Sequence, residues 1–244
     1  MEITRKNFND ELGNITKSLK QSCFLGFDAE FTAILSGECF KYRLFDTNKD
    51  RYDKIKNEVN KMIMTQIGLT MFQYDRNLDS YTAAGYTFHL CPQVFGDIDQ
   101  SFTFQASTLN FLCKYNFNFN KFTYEGLPYL SKAEENIIRQ QLKNKTLFDN
   151  LINSMELTDE KKLQGYCSEV SKLVLIYKDK YVEGANAAPM AILEDNLLNH
   201  VLGFSQIIEL LTCYNKPIVG HNMFLDVILL HSYMNSSLNV NARN

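Results

Sequence analysis

Two carboxylates, Asp28 and Glu30, sit one residue apart inside the apolar run Phe24-Leu25-Gly26-Phe27-Asp28-Ala29-Glu30-Phe31. A run this short, apolar and aromatic predicts a buried strand, whose side chains alternate faces, so the two acids share a side about 6.5–7 Å apart. Like charges on one buried face repel, and desolvation adds to the cost of ionising them. A divalent cation answers both problems, because a hard cation such as Mg²⁺ takes carboxylate oxygens and keeps waters and substrate phosphates as its remaining ligands. The plainer alternative is a strand end at which both acids reach solvent. A third acid, Asp226, is the only charged residue between Gly220 and Leu230 and is flanked by Phe224, Leu225, Val227 and Ile228. It reads either as an acid on the one exposed stripe of a helix or as a buried one. Three carboxylates from a strand and a facing helix would suit a phosphodiester site with two metals about 3.5–4 Å apart.

These acids need elements to hold them. Phe8, Leu12, Ile15 and Leu19 recur at spacings of four, three and four, which predicts a helix capped by Asn7 and leading into the Asp28/Glu30 strand. Tyr52, Ile55, Val59 and Met62 repeat the helical period, with Lys54, Lys56 and Lys61 as a solvated face. Met64 to Phe72 and Tyr86 to Leu90, the latter stopped by Pro92, read as second and third strands. Consecutive strands of this kind predict an antiparallel start to a mixed sheet. Ser107 opens a short helix, and Ser131 with Glu134 forms a capping box for a helix running towards Lys143. From about Asn144 to Asn196 the pattern weakens. Leu173 to Tyr177 suits a strand or a helix, and Gly184 to Pro189 a loop. Helical period returns from Asn196 to Leu211, Ile218-Val219 forms a short strand ending at Gly220-His221-Asn222, and a last helix covers Met223 to about Met234.

Length and composition bound the rest. The 244 residues, 45% hydrophobic, suffice for one good core. A net charge of −3 gives no global basic field for nucleic acid, although a metal centre and a local groove can hold phosphates in an acidic protein. Six scattered cysteines with no C-x-x-C pair fit neither a zinc site nor a disulfide framework and suit a reduced compartment. No apolar run approaches the length of about 18 residues that a membrane span needs, so the expected location is the cytoplasm, with the nucleus as the alternative.

Several motifs together resemble the DEDD-type 3′ to 5′ exoribonucleases of the deadenylase group, the poly(A)-specific ribonuclease family. They are Met1-Glu2-Ile3 with Asn7-Phe8, Phe27-Asp28-Ala29-Glu30-Phe31, Gln66-Ile67-Gly68-Leu69, and Phe117-Asn118-Phe119-Asn120-Lys121 with Gly126-Leu127-Pro128-Tyr129. Gly203-Phe204-Ser205 and the run Val219 to Val227 complete the set. Phe95-Gly96 and Phe102 to Ser107 are more similar to the branch that trims the 3′ ends of PIWI-interacting RNA precursors. The resemblance implies an α/β, RNase H-like mixed sheet flanked by helices. Its nuclease domain would occupy 1–143 and 196–234, around a weakly patterned insert at 144–195 and before a frayed tail at 235–244.

By position, the resemblance makes Asp28, Glu30 and Asp226 metal-ligating catalytic acids in a two-metal Mg²⁺ site, with Mn²⁺ as the alternative ion. It sets Phe31 and Ile34 against the 3′-terminal bases, where ordinary core packing is the alternative, and Asn222 against the terminal nucleotide. It implies single-stranded RNA with a free 3′ hydroxyl as substrate, a homodimer as the assembly, and no membrane segment within these residues. The family's third motif, a fourth aspartate and a general-base histidine, is expected downstream of Asn244 with the last strand and helices of the fold. His231, five residues past Asp226, lies about 140° around the helix from that acid and does not replace the histidine. His89 and His200 read as ordinary polar residues. A deadenylase of messenger RNA, or an inactive RNA- or partner-binding fragment, are the rival expectations.

Overall fold

The computed structural model describes residues 1–33, 45–59, 61–95, 98–144 and 187–234, together with 146, 173, 175, 176, 179 and 180. The first elements are β1 (Glu2–Ile3), α1 (Phe8–Gln21), β2 (Phe24–Phe31), α2 (Asn48–Val59), β3 (Met64–Asp75) and β4 (Ser80–His89). They are followed by α3 (Ala106–Lys114), α4 (Phe119–Glu125), α5 (Lys132–Asn144), α6 (Ala187–Leu202), α7 (Ser205–Tyr214), β5 (Ile218–Val219) and α8 (Phe224–Met234).

The strands form one mixed sheet in the order β1-β4-β3-β2-β5. β2 runs antiparallel to β3 and β3 to β4, while β1 joins β4 and β5 joins β2 in parallel. This is the helix-flanked mixed α/β sheet that the resemblance implies, with the antiparallel start that the strand pattern predicts. β4 starts at Ser80, well before the Tyr86 expected from pattern, because Tyr81, Thr82, Ala83, Ala84 and Gly85 pair residue for residue with Tyr74 to Thr70. Pairing with a strong neighbour extends a strand whose own residues carry little signal.

One face of the sheet is dry. Leu25 and Phe27 of β2, Ile67, Leu69 and Met71 of β3, and Phe88 of β4 are buried with Phe8, Ile15 and Leu19 of α1, Phe204 at the N-cap of α7, and Ile207 and Ile208 of α7 in one core. The period-two alternation places Phe24, Gly26, Asp28 and Glu30 of β2 on the other face, across from Phe72, Thr70, Gly68 and Gln66 of β3. A second cluster joins Ile138 and Leu142 of α5 to Leu197, Leu198, Val201 and Leu202 of α6.

Two of the motifs quoted above meet in space and serve the fold. Gly203 breaks α6 from α7 with φ +42, and a Cβ there would collide with the carbonyl oxygen of Pro128. The Phe204 amide donates to that same oxygen at 2.9 Å. Buried Ser205 completes the stitch, its hydroxyl donating to the Leu130 carbonyl and accepting from the Leu130 amide, both at 2.8 Å. Ser205→Ala would leave both backbone groups without a partner at a cost of about 1–3 kcal/mol. A fall of roughly 3–10 °C in Tm is expected for a chain of this size. An unchanged melting curve would rule the stitch out as a stabilising element.

Three local expectations change. Asn7 occupies the N-cap position of α1 without a side-chain bond to the helix amides. Its Oδ1 instead accepts from the Thr4 amide at 2.9 Å and its Nδ2 donates to the Glu2 carbonyl at 3.0 Å, so it closes the loop behind the helix. α6 begins at Ala187, inside the stretch read as a loop, because Pro189 falls in the first turn where its missing N–H is not needed. α3 begins one residue ahead of Ser107, with Gln105 as its N-cap. The Ser131/Glu134 capping box is present as expected, each side chain accepting from the other's backbone amide. Positions 173, 175 and 176 are helical and residues 187–195 belong to α6, while Ile34, most of 145–186 and the 235–244 tail lie outside the described residues.

The hairpin of β3 and β4 reaches beyond the start of β2, since Gln73, Tyr74 and Asp75 pair only with β4. Its turn is closed by Asp75, whose Oδ1 accepts from the amides of Asn77 and Leu78, and by Asp79 at φ 47. Tyr74, Leu78 and Tyr81 are exposed there.

Candidate active site

β2 and α8 bring the three acids together. Asp28 and Glu30 project from the face opposite the core, Asp28 exposed and Glu30 half-buried. Their partners on β3 are Gly68, which carries no side chain over Asp28, and Gln66 opposite Glu30. Asp226 enters from the first turn of α8 and is buried, with 7% of its surface exposed. A backbone hydrogen bond from Ala29 holds its carboxylate against β2, at the residue that separates the two other acids in sequence.

The turn before α8 is what aims it. Gly220 packs so closely that a Cβ there would stand 2.5 Å from the Phe27 carbonyl oxygen and 2.5 Å from the Met223 side chain. β5 pairs Ile218 and Val219 with Leu25 and Gly26, delivering the chain to this point beside the acids. Asn222 follows in the left-handed region at φ 53, which asparagine tolerates better than most residues, and it is exposed beside the site. Phe31 is half-buried and packs against the main core. The end of β2 is fixed by Thr32, whose amide donates to the Ile63 carbonyl and whose hydroxyl accepts from the Ile63 amide.

Electrostatics report the crowding. Burial first, then the charges of Asp28 and Asp226, push the Glu30 carboxyl above its usual range. Asp226 is also raised, by burial and by Asp28, against the opposing backbone donors of its own residue and Ala29. A carboxylate with a raised native pKa favours the fold when protonated, so its contribution is present at low pH and is lost as pH rises through the native value. In EDTA, the wild type should therefore gain more, or lose less, stability than Glu30→Gln as pH falls from about 7 towards 5. Parallel Tm-against-pH curves for the two proteins would show that Glu30 carries no such strain.

Among the described residues, no three His, Cys, Asp or Glu side chains already stand at the spacing of a metal cage. The acids are near enough to repel one another without closing on one point. Their donor chemistry nevertheless fits a hard divalent cation, since three carboxylates with no cation among them are the oxygen set that such an ion takes.

The family profile described as CAF1 family ribonuclease matches residues 3–243. The chain belongs to the CAF1 ribonuclease family. The chain is 50% identical to the pre-piRNA 3′-exonuclease trimmer of Bombyx mori, over 95% of this chain and 52% of that protein. It is 28% identical to the poly(A)-specific ribonuclease PARN of Xenopus laevis, over 93% of this chain and 46% of that protein. The chain thus spans about half the length of these curated relatives. A solved structure of S. pombe Pop2p, in its Mg²⁺- and Mn²⁺-bound form, is 14% identical with a TM-score of 0.39, over 59% of this chain and 52% of that one. No helix among the described residues is long and apolar enough to cross a membrane.

One residue near the acids escapes a sequence reading. His89, the last residue of β4, is buried at 1% exposure and pairs across the sheet with Gln66, itself opposite Glu30. The signal that could have found it is alternation along β4, which puts His89 on the face of Thr87 and Gly85, but the link to Glu30 runs through two strand pairings that no local pattern encodes.

Proposed function

We propose that this protein is a metal-dependent 3′ to 5′ exoribonuclease acting on single-stranded RNA with a free 3′ hydroxyl, and that its substrates are PIWI-interacting RNA precursors. The observation that carries the reading is the convergence of Asp28, Glu30 and Asp226 from β2 and α8. The higher identity to the silk-moth trimmer than to PARN supports trimming over deadenylation. Phe31, Ile34 and Asn222 belong to the proposal as contacts to the RNA end, and 144–195 as an insert between the two stretches of the nuclease domain.

In this reading, Asp28, Glu30 and Asp226 would hold Mg²⁺, or Mn²⁺ in its place. Bound there, the ions would supply a water activated at neutral pH and charge neutralisation on the reacting phosphodiester. The chain's own work is to hold the acids. The Ala29 backbone bond keeps Asp226 in place, and the Gly220 contact fixes the turn from which its helix starts. Burial of Asp226 and half-burial of Glu30 keep those two carboxyl groups poorly solvated until a cation arrives.

The test is a time course of the purified chain on 5′-labelled RNA, either of mixed sequence or poly(A), with Mg²⁺ or EDTA. A one-nucleotide ladder on both RNAs that EDTA abolishes is expected. A ladder confined to poly(A) would replace trimming with deadenylation, and RNA binding without any ladder would leave this chain as a binding fragment.

A further inference from the structure

The geometry points to Thr65 as a positioning residue for Glu30: its hydroxyl, donated to the Glu30 carbonyl, pins a β-bulge that sets where the Glu30 carboxylate stands among the acids. The inference rests on reading Asp28, Glu30 and Asp226 as the metal-holding acids of a nuclease. β2 and β3 pair in unbroken register from Phe24 opposite Phe72 to Glu30 opposite Gln66, and the register breaks at the next step, where Phe31 stands opposite Met64. Thr65 is the extra residue on β3, with no residue opposite it on β2. Such a bulge bends the pair and re-aims the side chains beside it, and this one falls directly after an acid of the site.

Thr65 is held from both sides. Its hydroxyl donates to the Glu30 carbonyl at 3.1 Å, and its own carbonyl accepts from the Leu90 amide, just past β4, at 2.9 Å. The residue is fully buried, so its hydroxyl depends on the Glu30 carbonyl as a protein partner in place of water. Beyond the bulge, the Thr32 amide donates to the Ile63 carbonyl and the Ile63 amide to the Thr32 hydroxyl, while the Gln105 amide donates to the Thr32 carbonyl at 2.9 Å. The irregularity is thereby confined to one step of the strand pair.

The three acids do not depend on this device equally. Asp28 stands within the regular pairing, and Asp226 is held through the backbone of Ala29. Glu30 is the acid whose own backbone borders the break. A slip of one residue turns a strand's side chains to the opposite face, and the bulge absorbs that slip. It lets Met64 join the main core with Phe31 while Gln66 stays opposite Glu30. Without the Thr65 hydroxyl the extra residue is free to migrate along the pair, and the backbone carrying Glu30 shifts with it. Metal ligands tolerate little of this, because a site works only when its carboxylates are held to within about 0.5 Å.

The test is Mn²⁺ binding by the purified chain, read from the paramagnetic resonance signal of the free ion, with no RNA present. Thr65→Val keeps the branched shape and removes the hydroxyl, and its affinity for Mn²⁺ is expected to fall about tenfold. Thr65→Ser keeps the hydroxyl and should bind nearly as tightly as the wild type. Thr65→Ala removes the hydroxyl without setting a methyl against the Glu30 carbonyl, and carries the comparison if the valine protein does not fold. A threonine that only supported the sheet would lower Tm and leave the affinity of the folded protein unchanged. Wild-type affinity in a folded Thr65→Val or Thr65→Ala protein would therefore overturn the positioning role and leave the metal site standing. A loss in Thr65→Ser as large as in Thr65→Val would overturn the part given to the hydroxyl. Absence of Mn²⁺ binding by the wild type would overturn the metal site and the role of Thr65 together.

Discussion

Asp28→Asn is expected to abolish metal binding and to leave the metal-free protein at least as stable as the wild type. The two outcomes have one origin. Asp28 is a charge whose field raises both Glu30 and Asp226, so neutralising it relieves repulsion in the absence of a cation. With a cation present the same carboxylate is a ligand, and ligand binding to the native state alone stabilises it. Wild-type Tm should rise as Mg²⁺ or Mn²⁺ is added, and the Asp28→Asn variant should respond little. If the metals supply several kcal/mol of transition-state stabilisation, exonuclease activity falls by about 10²–10³-fold or more. A variant whose Tm still climbs with Mg²⁺ as the wild type's does would remove Asp28 from the metal site.

Gly220→Ala is expected to damage the same site from outside it. The added Cβ would meet the Phe27 carbonyl oxygen at 2.5 Å, and that atom belongs to the central strand. The Met223 side chain can move away, but the carbonyl shifts only with β2, so the turn must lift. Overpacking of this kind costs about 1–3 kcal/mol. The more telling effect is on α8, whose first turn carries Asp226. With its helix displaced, Asp226 loses its position against Ala29, and metal affinity should drop about 10–100-fold. Calorimetry would read both quantities on one sample. Normal metal affinity in a destabilised variant would mean that the turn supports the fold without aiming the acid.

The site is legible in the sequence where its chemistry is local. Asp28 and Glu30 share a face because a strand has period two, and that can be read from eight residues. Asp226 stands out because a lone acid in an apolar helix is expensive. The α1 helix and the β3 strand are equally plain, since their apolar residues repeat with the right period. What escapes is decided by partners distant in sequence. Ser80 to Gly85 joins β4 because β3 lies alongside it, and His89 meets the carboxylate of Glu2, at the other end of that stretch of chain. Ala187 to Pro189 misleads for a different reason. Proline argues against a helix interior, yet it costs nothing in a first turn.

The tip of the β3–β4 hairpin bears on how the protein behaves in concentrated solution. Two strands without a third beside them, carrying exposed Tyr74, Leu78 and Tyr81, offer aromatic surface and open backbone edges of the kind through which copies of a protein associate. Asp75, Arg76 and Asp79 cluster at that tip, and Asp79 accepts a hydrogen bond from the Tyr74 hydroxyl. Charges in such positions act as gatekeepers against strand-to-strand stacking. The turn that sets the hairpin's register therefore also places charge beside its exposed aromatic end.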